Sequence, residues 1–147
     1  YYLQNDVAAG MIVRGMHHWG ASLTVVMMFL HTLRVFFTGA YKAPRELNWV
    51  VGVLLFAVIL GLAFTGYLLP WDMKALFATR VGLDIAESVP FVGEWIKTLL
   101  AGDATIIGAQ TLTRFFAIHV FFLPAALFIL LALHFIMIRK QGISGPL

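Results

Sequence analysis

The chain has 147 residues, of which 61% are hydrophobic and only 12% charged, a composition too apolar for a soluble domain of this length. It contains no cysteine, which excludes disulfides, iron–sulfur ligation and thioether attachment of a prosthetic group by this chain. The net charge of +3 bears on orientation in a membrane, and we predict no nucleic-acid partner.

The first part of the chain predicts an interfacial lead-in followed by a membrane span. Residues 1–6 are polar and show no cleavable signal peptide, so we expect an upstream segment to be missing. A first span is predicted at about residues 16–37, since about 20 apolar residues cross a bilayer. It contains His17, His31 and Arg34, which are costly at depth unless a partner compensates them.

The second predicted span covers about residues 49–69 and is rich in glycine. Gly52 and Gly66 are 14 residues apart, which matches the interval from His17 to His31. Glycine lets another helix, or a bulky planar group, approach the backbone closely. Helix packing and clearance for a planar cofactor are both consistent with this interval.

Residues 70–111 predict an interfacial connection, with short amphipathic helices at about 73–85 and 92–100 and a turn at 101–103. The third span is predicted at about 112–138, with Thr111 or Thr113 as its cap. Pro124 lies inside this span and predicts a kink. The whole chain, 1–147, is thus predicted to be a single all-α transmembrane domain, part of a four-helix bundle with three spans present.

Basic residues predict the orientation of these spans. The loop after the first span carries Lys42 and Arg45, and the end of the third span carries Arg139 and Lys140. Three spans place these two regions on the same side, which is therefore predicted to be cytoplasmic. The connection at 72–112 has three basic and five acidic residues and is predicted on the opposite side.

Four histidines lie at matching intervals in the first and third spans. His17 and His31 are 14 residues apart, and His119 and His134 are 15 apart. Fourteen residues rise about 21 Å and return to within roughly 40° of the starting face, so one helix can present two imidazoles near opposite membrane surfaces. Two such helices provide the geometry for two six-coordinate haems, and the kink at Pro124 can absorb the extra residue of the second interval.

Histidines in membrane spans also serve as core residues, metal ligands and proton relays. Single buried histidines are more often hydrogen-bonded core residues, but four at matched intervals are harder to account for in that way. A zinc site is disfavoured because no third or fourth ligand clusters with either pair. A proton relay stays open. His18 points roughly 100° away from His17 and is interpreted as a polar neighbour.

Haem propionates are anionic and need cationic partners. Arg14 and Arg114 are candidates on one side of the membrane, and Arg34 and Arg45 on the other. Each of these arginines is equally consistent with an interfacial anchor.

Several motifs resemble the cytochrome b family of quinol–cytochrome c oxidoreductases. The 15-residue interval before His134 and the Gly-Pro-Leu ending are similar to the split form, cytochrome b6. The Phe115–Phe122 stretch and the Pro-Trp-Asp loop resemble the menaquinol-oxidising version of Gram-positive bacteria. The resemblance covers essentially the whole chain and rests on residues 14–17, 20–22, 31, 34, 42–47, 66–72, 111–119 and 139–147.

The resemblance implies roles for particular residues. His17 and His119 would ligate the iron of the outer haem, and His31 and His134 that of the inner haem. Arg139 falls at the family's inner quinone site. Part of the outer quinone pocket would be formed by Pro70, Trp71, Phe77, Ala78 and Thr79.

The resemblance further implies a di-haem subunit that carries electrons from quinol across the membrane and couples quinol oxidation to proton translocation. Menaquinone is the expected quinone, and the expected partners are membrane lipid, a Rieske iron–sulfur protein, a cytochrome c and a second copy in a dimeric complex. The expected location is a bacterial plasma membrane, with a thylakoid membrane as the alternative.

Two departures from the family pattern indicate that this chain lacks parts of the catalytic unit. The first of the family's four spans is absent here, together with the cysteine that holds an additional covalent haem in the split type. The Pro-Glu-Trp-Tyr motif of the outer quinone site is absent too, and split enzymes carry it on a separate subunit. We therefore expect this chain alone to be catalytically incomplete.

Two other functions remain as alternatives. A non-redox scaffold or proton-conducting bundle would use the histidines as relay groups and would show no visible absorption. A di-haem membrane anchor of a dehydrogenase would share the haems but would need neither a Rieske partner nor the pocket around the Pro-Trp-Asp loop.

Overall fold

The computed structural model describes residues 2–102 and 107–144. Every regular element in this part of the chain is helical, and three helical segments are long and apolar enough to cross a membrane: Gly10–Phe37, Glu46–Leu68 and Ala109–Gln141. The predicted all-α transmembrane class is thereby confirmed. The elements are α1 (Tyr2–Asn5), α2 (Gly10–Phe37), α3 (Glu46–Leu68), α4 (Met73–Glu87), α5 (Gly93–Ala101), α6 (Ala109–Ala117), a π-helical turn (Ile118–Phe122) and α7 (Leu123–Gln141).

The spans begin earlier than the hydrophobic pattern predicts because local backbone chemistry sets their ends. Ala9 adopts a left-handed conformation before α2, and a Cβ on Gly10 would collide with the carbonyl oxygen of Leu3. α3 begins at Glu46, whose carboxylate suits the positive end of the helix dipole. α7 ends at Gln141 and is followed by Gly142 with φ 75°, the left-handed conformation typical of a helix C-terminus.

The chain divides into two compact units. The described part of the first comprises residues 2–63 and 130–144, and its contacts join the α2–α3 loop to the end of α7. Arg45 donates from Nε to the carbonyl of Gly142 and from Nη2 to that of Ile143, both at 3.2 Å. Tyr41 stacks on Phe36 and lies against Trp49. These contacts fix the polar end of each helix that enters this loop.

The second unit, residues 64–129, contains the hairpin of α4 and α5 and the start of the third span. Asp72 caps α4 by accepting a hydrogen bond from the backbone N–H of Ala75 at 2.8 Å. Thr111 lies in the first turn of α6, where its hydroxyl accepts from the N–H of Gly108 and donates to the carbonyl of Ala101. Thr111 therefore links α6 to the end of α5, and α6 itself begins at Ala109.

The connection contains the two short helices that the sequence predicts, and the predicted turn at 101–103 is only partly observed. Residues 101 and 102 belong to the described chain, and Gly102 has φ 86°. Asp103 and the Gly-Pro-Leu ending at 145–147 lie outside the described residues.

The third span contains a π-helical turn at Ile118–Phe122, immediately before Pro124. A π turn closes its hydrogen bond over five residues instead of four, and so holds one more residue than an α turn. Proline lacks the N–H that an α-helical bond to residue 120 would need. The extra residue between His119 and His134 is therefore accommodated by this turn, and α7 continues through Pro124.

An ion pair closes the hairpin of α4 and α5. The ammonium group of Lys97 on α5 contacts the carboxylates of Glu87 and Asp84 on α4, with 3.6 Å to the Asp84 oxygen. The hydrogen bond to Glu87 and the charges of both carboxylates raise the pKa of Lys97 above its ordinary value, against a smaller opposing effect of desolvation.

We expect Lys97→Met to loosen this hairpin slightly. A raised pKa means that the ion pair stabilises the folded hairpin below the ordinary lysine pKa and that this contribution is lost as pH rises through the raised value. The predicted result is a small decrease in hydrogen-exchange protection of α5 amides near neutral pH, because exposed ion pairs contribute little. Lys74→Met on the same hairpin is the control, and equal changes in both variants would contradict the role of the pair.

Candidate metal centres

His119 lies against Thr65 and Gly66 at the end of α3. Gly66 provides the space: a Cβ on this residue would lie 2.7 Å from Cε1 of His119 and 3.3 Å from each ring nitrogen. The hydroxyl of Thr65, a residue only 5% exposed, is 3.0 Å from Nδ1 of His119. The imidazole therefore lies over a gap in the surface of α3, with its Nδ1 beside a hydroxyl group.

His134 lies against the first part of α3 in the other unit. A Cβ on Gly52 would lie 3.7 Å from Cε1 of His134, an ordinary contact distance. Nδ1 of His134 is buried and has no hydrogen-bond partner of ordinary geometry among the described residues. His31 is close enough to interact electrostatically with His134. The structure thus places His31 near His134, the two residues that the resemblance assigns to the inner haem, and Gly52, one of the two glycines predicted to provide clearance, beside His134.

His17 and His18 are both exposed on α2. The ring of His18 makes an edge contact with Trp19, with 5.8 Å between ring centroids. The assignment of His17 and His119 to one metal ion stays a prediction from the sequence.

Three of the four arginines that are predicted to bind haem propionates donate hydrogen bonds to groups of the protein in this structure. Arg45 donates to the carbonyls that follow α7. Arg114 donates from Nη1 to the carbonyls of Thr98 and Leu99 at the end of α5, and Arg14 donates to the side chain of Gln4. A guanidinium has five N–H donors, so these bonds leave donors for a carboxylate. The propionate assignments, including that of Arg34, stay predictions.

The residues predicted to line the outer quinone pocket lie around the start of α4. Trp71 has a positive φ of 54°, and the ring of Phe77 is 59% exposed. Thr79 is fully buried, and its hydroxyl donates to the carbonyl of Ala75 at 2.8 Å, so it contributes to packing within this unit. Pro70 is exposed and Ala78 is partly buried. Arg139, predicted at the inner quinone site, is exposed near the end of α7.

The residues present fit b-type haems on three observations. An imidazole nitrogen is the usual axial ligand, and the side chains offered here are histidines inside apolar spans. Gly66 and Gly52 each leave a gap on α3 next to a histidine. Nδ1 of His119 has an outer partner of the kind that metal-ligating imidazoles usually carry, since it lies 3.0 Å from the Thr65 hydroxyl.

Thr65 is the functional candidate that sequence reasoning missed. The sequence contains a feature that could have identified it: Thr65 is a polar residue next to Gly66 in an otherwise apolar span. The 14-residue interval between the glycines also relates the residues that precede them. Fourteen residues earlier, Val51 occupies the corresponding position beside Gly52.

These features define an apolar helical membrane protein in which two histidines, His119 and His134, lie against glycines of a neighbouring span. Comparison with known proteins makes the class specific. The family model described as cytochrome b(N-terminal)/b6/petB matches residues 22–147, and the chain belongs to this family. The predicted resemblance is confirmed.

Two curated relatives are similar over the full length of this chain. The menaquinol:cytochrome c reductase cytochrome b subunit of Bacillus subtilis is 81% identical, and the protein of the same name from Geobacillus thermodenitrificans is 79% identical. The chain spans 66% of the length of each of these relatives.

A solved structure agrees with the sequence comparisons. A chain of a hyperthermophilic respiratory Complex III superimposes with a TM-score of 0.84 at 30% identity. The match covers 99% of this chain and 39% of that chain. The helical arrangement is therefore one that a respiratory complex uses.

Proposed function

We propose that this chain is the di-haem cytochrome b subunit of a quinol–cytochrome c oxidoreductase of the bc/b6f type. In this role it carries electrons from quinol across the membrane between two b haems and couples quinol oxidation to proton translocation. The observation that carries the proposal is the pair of glycine–histidine contacts on α3, Gly66 with His119 and Gly52 with His134, in a chain of the cytochrome b family.

The proposed ligand pairs are His17 with His119 and His31 with His134. A bound b haem would supply reversible one-electron chemistry at each site. With two histidines bound to each iron, a haem would have no position left for a substrate, so these pairs would suit electron transfer rather than chemistry on a bound substrate. In a bilayer, lipid and the apolar spans would exclude water from the imidazoles, and the low dielectric would strengthen the effect of nearby charges on redox potential.

The arginines near the ends of the spans are proposed to bind the anionic propionates of the haems. We assign Arg14 and Arg114 to propionates on the outer side, and Arg34 and Arg45 to propionates on the inner side. Arg45 and Arg114 also hold helix ends, so their guanidinium groups are held in place before an anion arrives. A fixed donor loses less conformational entropy on binding than a free side chain.

The substrate and partners are proposed from the relatives. Menaquinol is the proposed substrate because the Bacillus subtilis relative is named for it. Pro70, Trp71, Phe77, Ala78 and Thr79 would contribute to an outer quinone pocket that is completed by a subunit bearing the Pro-Glu-Trp-Tyr motif, and Arg139 would contribute to an inner one. The further proposed partners are a Rieske protein, a cytochrome c, membrane lipid and a second protomer, in a bacterial plasma membrane.

A redox-titrated visible spectrum of the purified complex that contains this chain tests the proposal. We expect two b-type signals with separate midpoint potentials. A single b signal would contradict one of the two ligand pairs, and the absence of any haem signal would overturn the proposal in favour of proton conduction. Quinol oxidation that survives loss of the Rieske protein would favour the membrane anchor of a dehydrogenase instead.

A further inference from the structure

We propose that Thr65 is a positioning residue for the haem ligand His119 and lowers the redox potential of the haem that His119 binds. The proposal rests on the proposed function, because it concerns one of the two ligand sites. Its basis is the distance of 3.0 Å between the Thr65 hydroxyl and Nδ1 of His119, at a residue that is 5% exposed.

The chemistry of imidazole sets the direction of this hydrogen bond. A neutral imidazole carries one N–H and one lone pair, so a ring that gives Nε2 to iron carries its proton on Nδ1. Nδ1–H must then donate, and the Thr65 oxygen accepts. The hydroxyl proton of a helical threonine ordinarily goes to the carbonyl four residues earlier, as it does at Thr24, Thr32 and Thr113.

Gly66 and Thr65 fix the ring in complementary ways. The gap at Gly66 sets where the ring lies, since three ring atoms are within 3.3 Å of the position that a Cβ would take. The hydroxyl of Thr65 sets which nitrogen carries the proton and limits rotation of the ring about its Cβ–Cγ bond. Such outer partners of metal-bound histidines both orient the ring and raise its basicity.

The second histidine on the third span offers an internal contrast. No hydroxyl and no hydrogen bond of ordinary geometry reaches the buried Nδ1 of His134 among the described residues, and the backbone of Asn48 is only a weak hydrogen-bond partner of this ring. The residue that corresponds to Thr65 at this site is Val51, which is 5% exposed. Valine and threonine have nearly the same shape, so the chain presents the same position with and without a hydroxyl.

The hydroxyl beside His119 and its absence beside His134 predict different effects on the redox potentials of the two haems. A hydroxyl that accepts from Nδ1–H gives the imidazole more anionic character, which favours the ferric over the ferrous state of a bound iron. Removing this acceptor is therefore expected to raise the midpoint potential of the haem that His119 binds. Adding a hydroxyl at Val51 is expected to lower the potential of the haem that His134 binds.

The test uses the whole purified complex and the variants Thr65→Val, Thr65→Ser and Val51→Thr. Midpoint potentials come from redox titration of the visible spectrum, and the electron paramagnetic resonance signal of the oxidised low-spin haem reports on the imidazole. The haem of His119 is identified as the signal that His31→Ala leaves in place. Thr113→Val is the matched control, because Thr113 is exposed and its hydroxyl donates to the carbonyl of Ala109.

We expect Thr65→Val to retain both haems, to shift one potential upwards and to change the resonance signal of that haem alone. Thr65→Ser should restore the parent values, and Thr113→Val should leave them unchanged. An unchanged potential in Thr65→Val, equal shifts in both haems, or the same shift in Thr65→Ser would overturn the proposal.

A second measurement applies where Thr65→Val does not assemble. Val51→Thr should then lower the potential of the other haem, and an unchanged or raised potential would overturn the proposal. These outcomes are distinct from failure of the proposed function, which would already be visible in the parent complex as a missing haem signal.

Discussion

Replacing His31 with alanine is expected to remove one of the two b-haem signals and to leave the other. The structure brings His31 close to His134 in the same compact unit, beside the gap at Gly52. A haem bound by the proposed pair would lose one of its two bonds to the protein when alanine, whose side chain has no lone pair, replaces His31. The measurement is haem content by pyridine haemochrome, together with the reduced-minus-oxidised spectrum of the complex.

His18→Ala is the matched control for this substitution. His18 lies on the same helix and is also exposed, but it makes an edge contact with Trp19 and has no proposed ligand role. The control should keep both signals. Retention of both haems in His31→Ala would contradict the ligand assignment, and loss of a haem in His18→Ala would show that the spectrum also responds to replacement of a histidine on α2 that is not a proposed ligand.

The fold class was predictable because apolar composition and span length decide it. Three long apolar segments separated by polar connections leave few alternatives, since backbone polar groups in a bilayer must be satisfied within helices. The helix ends were less predictable. The start of α2 depends on Gly10 and its approach to Leu3, a contact that no hydrophobic pattern reveals.

The spacing of the histidines predicts which of them share a helix face, but it does not by itself account for the second interval. Fourteen residues restore the helix face, so the interval from His17 to His31 could be interpreted directly. The interval of 15 before His134 needed an irregularity, which the sequence suggested at Pro124 and the structure shows as the π-helical turn at Ile118–Phe122. A proline in a helix predicts that the hydrogen-bond pattern is interrupted, but it does not specify whether a kink or a π-helical turn results.

Side-chain hydrogen bonds were the least predictable part of the candidate sites. The charges of Arg45 and Arg114 predict a role at haem propionates, and the structure shows each of them donating to carbonyls at a helix end. Neither charge nor the histidine spacing singles out Thr65, although its hydroxyl is next to His119. Such contacts depend on which residues of different helices meet, and this information is not contained in the pattern of one helix.

Gly66→Ala is the second substitution with a large expected effect, the loss of the haem signal assigned to His119. The added methyl group would lie 2.7 Å from Cε1 of His119 and 3.3 Å from both ring nitrogens, so the ring must move away from α3. That movement would break the hydrogen bond to Thr65 and would shift the ring nitrogen that is proposed to bind the haem iron. Helix weakening cannot cause such a loss, because alanine stabilises a helix interior by up to about 1 kcal/mol relative to glycine.

Gly52→Ala separates two interpretations of the matched glycine interval. Its methyl group would lie 3.7 Å from Cε1 of His134, an ordinary contact, so the ring can stay in place. If clearance for the histidine ring dominates, Gly52→Ala keeps its haem with a shifted potential whereas Gly66→Ala loses its haem. Equal losses in the two variants would instead show that both glycines make room for the macrocycle. Unchanged spectra in both would leave helix packing as the reason for the interval, and would contradict the assignment of these glycines to the haem sites.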